Sequence, residues 1–112
     1  MGRYDGLVPI IEKDVEATFV RGLKKRGLRS IKLNIQGQRG WHDRLVLIPG
    51  GRPMFMELKR PGATLTGSQP EIHAFVTMLG GYRQHVCDNA AEALAVVDDY
   101  LRRDRLKVTV VG

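Results

Sequence analysis

The chain contains a single cysteine, Cys87, among its 112 residues. One cysteine excludes an intramolecular disulfide and any zinc cluster built from cysteine ligands. Cys87 lies in the apolar-flanked stretch YRQHVCD. We therefore expect a small buried thiol there rather than a reactive one.

Long apolar runs are also missing, because no stretch approaches the roughly 18 residues that a membrane span requires. The first residues, MGRYDGLVPIIEKD, contain no apolar segment followed by a small-residue cleavage site, so a secretory signal is not expected. The sequence has no internal repeat, low-complexity tract or linker. We predict one compact domain over residues 1–112 that acts in the cytoplasm and does not bind a membrane.

Positive charge is the main compositional bias. Eighteen Lys and Arg face 12 Asp and Glu, which gives a formal net charge of +6 and a pI near 9.9. Such a balance favours polyanionic partners, since each neutralised phosphate releases counterions. Because small basic proteins are common, charge alone leaves nucleic-acid binding open.

Hydrophobic periodicity predicts three helices. The first covers about Ile10–Arg26, where apolar residues recur every four positions. The second covers about Ser68–Leu79 and has a proline in its first turn, where proline is tolerated. The third follows Asn89, which forms a capping box with Glu92.

Four β-prone segments lie between or after these helices. IKLNI at 31–35 alternates as a half-buried strand does, and YRQHVC at 82–87 forms a short strand. RLVLI at 44–48 and MFMEL at 54–58 flank a Gly-Gly turn, which indicates a hairpin. KVTVV at 107–111 adds an edge strand or pairs with a second subunit. The order α-β-β-β-α-β-α-(β) predicts an α/β fold with a mixed sheet flanked by helices.

The hairpin carries the residues with the clearest chemistry. In a strand, Glu57 and Lys59 point to one face. Asp43 stands about as far before the Gly-Gly turn as Glu57 stands after it, so the two carboxylates can lie side by side. The sequence thus predicts two carboxylates and one ammonium group at one end of a two-stranded sheet.

This set of groups suits metal-dependent phosphate chemistry. Mg²⁺ binds a few carboxylates, here Asp43 and Glu57, and the main-chain carbonyl of Leu58 can add a ligand. The metal polarises a phosphate and lowers the pKa of bound water. Lys59 can orient that water or stabilise developing negative charge. A buried network of ion pairs among the same residues remains an alternative.

The motifs in this region resemble those of a known family. They are a glutamate in the first helix, Gly40-x-x-Asp43, a Gly-Gly hairpin, Glu57-Leu-Lys-Arg-Pro-Gly, and Gln69 opening the next helix. This order resembles the VRR-NUC family, a branch of the PD-(D/E)XK nuclease superfamily, in its small stand-alone phage or bacterial form. The resemblance covers about residues 11–89. It implies a restriction-endonuclease-like fold and a Mg²⁺- or Mn²⁺-dependent endonuclease that cleaves DNA in a bacterial or phage-infected cell.

The resemblance also assigns residues. It implies that Asp43 and Glu57 bind the metal, that Lys59 is the superfamily lysine, and that Gln69 is the polar residue beside the active site. For the metal-binding acid of the first helix it favours Glu16, which precedes the helix-ending glycine by 11 residues. Glu12 lies one turn earlier on the same face and is the alternative.

The sequence departs from the family pattern at His42, where members have a proline. We expect His42 to face solvent or to contact phosphate, with a role as accessory ligand or acid as the alternative. His73 and His85 have no partners at metal-binding spacing, so we interpret both as structural residues.

Several cations are candidates for DNA contacts, namely Arg39, Arg44, Arg60 and Lys24. The resemblance to stand-alone members of the family implies a homodimer that selects branched DNA such as four-way junctions. A two-fold dimer would present two sites to two strands. The rival hypothesis is a non-catalytic DNA-binding module with the same fold. Clustered acids argue against it, because they repel phosphate.

Overall fold

The computed structural model describes the backbone of residues 10–111 and the side chains of residues 10–104. The elements follow the predicted order: α1 (Glu12–Lys25), β1 (Ser30–Lys32), β2 (Arg44–Val46), β3 (Met54–Leu58), α2 (Gln69–Leu79), β4 (Arg83–Cys87) and α3 (Ala90–Val111). The predicted α/β class is therefore confirmed. Within the described part of the chain, no helix is both long and apolar enough to cross a bilayer.

The four strands form one mixed sheet in the order β1-β2-β3-β4. β1 pairs antiparallel with β2, and β2 pairs antiparallel with β3, so the predicted hairpin is present. β4 lies parallel to β3, after the chain has crossed over through α2. This topology makes β3 a central strand with a neighbour on each side.

The last predicted strand is wrong, because α3 continues to Val111 and the 107–111 segment is helical. No glycine or proline interrupts the chain from Ala90 to Val111, so nothing in the sequence ends the helix earlier. β-Propensity depends on pairing and packing context, and the valines and threonine of this segment continue a helix instead.

β1 is shorter than predicted and begins one residue earlier. Its partner β2 has only three residues, and the pairs run from Ser30–Val46 to Lys32–Arg44. One further bond, from the Leu33 N–H to the Asp43 carbonyl (3.0 Å), closes this pairing. The chain then turns, so Ile35 lies outside the strand.

One face of the sheet forms the hydrophobic core. Met54, Met56 and Leu58 of β3 are buried there together with Phe19 of α1 and Val97 of α3. Because strand side chains alternate, Phe55 and Glu57 point to the opposite face, towards α2. Cys87 belongs to the same core, which confirms the predicted buried thiol.

α1 and α3 pack closely at Gly22. This glycine is buried, and a Cβ atom there would overlap the side chain of Leu94. The helix ends with N–H groups of Arg26, Gly27 and Leu28 bonded to the carbonyls of Leu23 and Lys24. α1 is thereby fixed over the sheet, with Glu12 and Glu16 at its N-terminal half.

Candidate active site

Asp43 and Glu57 lie opposite each other at the open end of the hairpin. The register pairs Arg44 with Met56, so the next pair outward is Asp43 and Glu57. The Leu58 N–H donates a 2.6 Å hydrogen bond to Oδ2 of Asp43. Glu57 is 1% exposed, so the structure places a carboxylate pair in a largely dehydrated position.

Two carboxyl groups in this position disfavour a second negative charge. Burial and the neighbouring Asp43 raise the pKa of Glu57 to about 8. Burial also raises the pKa of Asp43, against the opposing effect of the Leu58 N–H bond. At pH 7 Glu57 therefore retains a proton. A cation bound between the two carboxyl groups would replace that proton, because it would neutralise their negative charge.

Lys59 adds a positive charge to the same face. The residue is 3% exposed, and its backbone N–H bonds to the Cys87 carbonyl of β4 at 2.9 Å. Its Nζ atom lies 3.8 Å from Oε2 of Glu57 and 3.6 Å from Oε1 of Glu12. The structure thus brings together the three groups that the hairpin pattern predicted.

Gln69 joins them from the first turn of α2. Its Nε2 donates to Oε2 of Glu57 at 3.1 Å, and its Oε1 accepts the Thr66 N–H at 2.9 Å. The second bond fixes which end of the amide faces the carboxylate. Gln69 therefore lies beside the acids, as predicted.

His73, which the sequence predicts to be a structural residue, also lies against Glu57. Its Nε2 is 3.5 Å from Oε1 of Glu57, and both atoms are buried without a hydrogen bond among the described residues. Burial and the charge of Lys59 lower the pKa of His73. The signal was available in the spacing, because positions 69 and 73 share one face of a helix.

The expectation that His42 faces solvent or phosphate is wrong. Its ring is fully buried, stacks on His73 with 3.8 Å between centroids, and lies 4.7 Å from the ring of Phe55. Its Nε2 is 2.8 Å from Oε1 of Gln84. Burial, with a smaller contribution from His73, lowers the pKa of His42 to about 4, so the ring is neutral at pH 7.

The two acids of α1 approach the site from its other side. Glu16 accepts hydrogen bonds from Lys32 at 3.0 Å and from Arg44 at 2.8 Å. Burial alone would raise the pKa of Glu16, but these bonds hold it below its ordinary value. Glu12 instead faces Lys59. Both charges raise the pKa of Asp43, so the assignment of the helix acid stays a prediction with two candidates.

The predicted DNA-contacting cations divide into two kinds. Arg44 is partly buried and bonded to Glu16. Arg39, Arg60 and Lys24 are exposed, and no ion pair among residues 10–104 involves them. His85 lies elsewhere, with its Nε2 2.7 Å from the hydroxyl of Tyr100.

The donor atoms at the site suit a hard divalent cation with few protein ligands. Among the described residues, no group of three or more His, Cys, Asp or Glu side chains is arranged to hold a metal ion. Mg²⁺ needs only one or two carboxylates when water and substrate phosphate complete its shell. The carboxylate pair supplies these, and the buried Oε1 of Glu57 has no hydrogen-bond partner in the described part of the chain.

Comparison with known proteins places the chain among nucleases. No family model matches the sequence. The protein named "Putative nuclease p44", from Acyrthosiphon pisum secondary endosymbiont phage 1, is 38% identical over 71 residues, which are 63% of this chain and 76% of that protein. A solved structure described as a VRR_NUC domain superposes with a TM-score of 0.65 at 23% identity, over 81% of this chain and 94% of that one.

Proposed function

Because this chain belongs to the family of the phage protein named "Putative nuclease p44" and has the fold of a VRR_NUC domain, we propose that it is a Mg²⁺- or Mn²⁺-dependent endonuclease that hydrolyses phosphodiester bonds in DNA. One observation carries the proposal. Asp43, Glu57 and Lys59 converge at one end of the hairpin, with Glu57 and Lys59 almost completely buried. Ionisable groups in so dry a position are costly to bury without a ligand or a reaction that uses them.

The carboxylates would hold the metal. Asp43, Glu57 and the main-chain carbonyl of Leu58 are the proposed ligands, with Glu16 or Glu12 reaching the same ion from α1. A bound divalent cation supplies Lewis-acid polarisation of the phosphate and a lower pKa for a coordinated water. Gln69 keeps the Glu57 carboxylate in one orientation through its bond to Oε2.

Lys59 is the proposed partner of the attacking water and of the phosphate. Its ammonium group is held within 4 Å of both Glu57 and Glu12, so it points into the site. In the reaction, the water would lose a proton to solvent as its oxygen bonds to phosphorus, one phosphorus–oxygen ester bond would break, and the leaving sugar oxygen would take up a proton from solvent. Negative charge builds on the phosphate oxygens meanwhile. A fixed ammonium in a water-poor site stabilises that charge strongly.

DNA would bind through the positive charge around the site. The formal net charge is +6, and Arg39, Arg60 and Lys24 are exposed cations. Arg44 would contribute through the nitrogen atoms that Glu16 leaves free. Phosphate contacts of this kind give affinity without sequence preference.

Cleavage of labelled DNA tests the proposal. We expect the purified chain to cut in Mg²⁺ or Mn²⁺ and to bind without cutting in Ca²⁺. Lys59→Ala should lower the cleavage rate by orders of magnitude and leave binding in Ca²⁺ within about twofold. Lys25→Ala, an exposed cation of α1, is the matched control. No cleavage by the unmutated chain in either metal would overturn the proposal and favour a non-catalytic DNA-binding module.

The finer substrate proposal is a homodimer that selects branched DNA. A two-fold dimer presents two equivalent sites, which suits two strands of a four-way junction. Synthetic junction, flap and linear duplex of equal length, with sedimentation of the protein alone and with DNA, provide the test. Equal cutting of all three substrates would refute junction selectivity, and a monomer on the DNA would refute the dimer.

A further inference from the structure

A groove of about 530 Å³ runs between the C-terminal half of α1 and the edge strand β1. Its apolar floor is formed by Val20, Leu23 and Leu28, and it contains no aromatic side chain. Its polar lining is basic and consists of Lys24, Arg29, Ser30 and Arg44. The groove therefore lacks a stacking surface for a base and is rich in groups that bind anions.

The two cations at its rim are not neutralised by the protein. Lys24 and Arg29 are exposed, and neither takes part in an ion pair among the described side chains. Glu16, the carboxylate bound to the groove residue Arg44, also binds Lys32. The groove thus has an excess of positive charge that a polyanion would neutralise.

Ser30 provides a directed donor within the groove. Its Oγ accepts a 3.3 Å hydrogen bond from Nη1 of Arg44. Arg44 is itself held by the 2.8 Å bond from its Nε to Glu16. Because the Ser30 oxygen acts as an acceptor there, its own hydroxyl proton is available for a phosphate oxygen.

The groove is linked to the carboxylate pair through Arg44, which follows Asp43 in the chain and binds Glu16 at 2.8 Å. Asp43 and Arg44 are consecutive, and consecutive side chains of a strand point to opposite faces. Asp43 therefore faces the active site while Arg44 faces the groove. From Glu16 to Lys24 the helix advances about 12 Å at its regular rise. That length corresponds to about three or four phosphates of one strand of B-form DNA.

We propose that this groove binds the sugar–phosphate backbone of DNA beside the scissile bond, with Lys24, Arg29 and Ser30 contacting successive phosphates. The ligand class follows from the proposed nuclease function. The groove adds Arg29 and Ser30 to the substrate-binding residues and gives the strand a direction away from Asp43, along α1. Phosphate contacts of this type fix the position of DNA without reading its sequence.

The double variant Lys24→Ala/Arg29→Ala tests this assignment. In Ca²⁺, fluorescence anisotropy with labelled duplex should give a Kd at least tenfold higher at physiological salt. The slope of log K against log salt should fall by about two, because two phosphate contacts are lost. In Mg²⁺ or Mn²⁺, KM should rise with Kd, whereas kcat should stay within about twofold because the carboxylates are untouched.

The control removes the same charge from outside the groove. Lys25→Ala/Arg102→Ala replaces two exposed cations, one on α1 and one on α3. An equal loss of affinity in this control, or an unchanged Kd and salt slope in the groove variant, would overturn the proposal. Lys24→Arg/Arg29→Lys should retain the affinity, and thermal melting of each variant shows whether it has folded.

Two further results separate the groove from the proposed enzyme activity. If the unmutated chain binds DNA but never cuts it, the nuclease proposal fails. The Kd values of the groove and control variants then still test whether the groove binds DNA. If it cuts DNA and the groove variant has unchanged KM, the groove proposal alone fails. Saturation of the groove by inorganic phosphate without competition against DNA would also overturn it.

Discussion

Nε2 of His73 and Nε2 of Gln69 approach different oxygens of the same carboxylate, that of Glu57, at 3.5 and 3.1 Å. The two residues are one helical turn apart on α2. The ring of His73 is in turn stacked on that of His42, whose Nε2 faces Gln84. α2 therefore restrains Glu57 through a hydrogen bond from Gln69 to one oxygen and the close approach of His73 to the other.

His73→Ala should loosen this restraint. We expect kcat to fall by about tenfold, in the range for loss of a positioning contact, and the Mn²⁺ concentration for half-maximal activity to rise. His73→Gln keeps a nitrogen donor and should recover part of both losses. Titration of activity with Mn²⁺ in both variants is the measurement. Identical behaviour of the Ala and Gln variants would argue against positioning through this nitrogen.

Asp43→Asn should separate stability from activity. Without the Asp43 charge the pKa of Glu57 falls towards its ordinary value, so protonating Glu57 on folding costs less free energy. The midpoint of thermal unfolding in EDTA should therefore rise, and the free energy of unfolding should increase by about 1–2 kcal/mol. Cleavage should be abolished in the same variant. Calorimetry in EDTA together with the cleavage assay is the check, with Asp99→Asn on the solvent-facing side of α3 as control. A lower midpoint than that of the unmutated chain would contradict the repulsion argument.

Gly22→Ala should destabilise the helix packing. The added methyl group meets the side chain of Leu94 across the α1–α3 contact. Overpacking of this kind costs about 1–3 kcal/mol. Urea unfolding measures the loss, and the double variant Gly22→Ala/Leu94→Ala should be less destabilised than the two single losses added together. Strict additivity would show that the two residues are not in competition for the same space.

His85 should contribute to sensitivity to acid. Burial lowers the pKa of His85 in the folded chain below the ordinary histidine value of 6.5. Neutral His85 therefore makes its full contribution to the free energy of unfolding above pH 6.5. That contribution is lost as the pH falls below 6.5, because the unfolded chain binds the proton more readily than the folded chain does. His85→Gln should show a smaller drop in the unfolding midpoint between pH 7 and pH 5. An unchanged drop would assign the acid sensitivity to other groups.

Features governed by local chemistry were predictable from the sequence. The apolar period of α1 and the Gly-Gly turn of the hairpin each act within a few residues, so the approach of Asp43 to Glu57 followed from counting. Gln69 was placed correctly through the family resemblance. The catalytic roles of these residues remain predictions.

Features that depend on distant parts of the chain were not predictable in this way. The burial of His42 requires α2 to cross the sheet and bring His73 onto its ring, 31 positions later. Likewise, the length of β1 is set by its partner β2 and not by its own alternating pattern. In the 107–111 segment, β-prone residues continue a helix that began at Ala90.

The hairpin that joins Asp43 and Glu57 also has a kinetic consequence. These residues are 14 positions apart, so their contact closes a short loop, whereas the parallel pairing of β3 with β4 must wait for the α2 crossover. Repulsion between the two acids therefore opposes an early step of folding. The asparagine variant at position 43 is expected to fold faster than the unmutated chain, with its unfolding rate little changed.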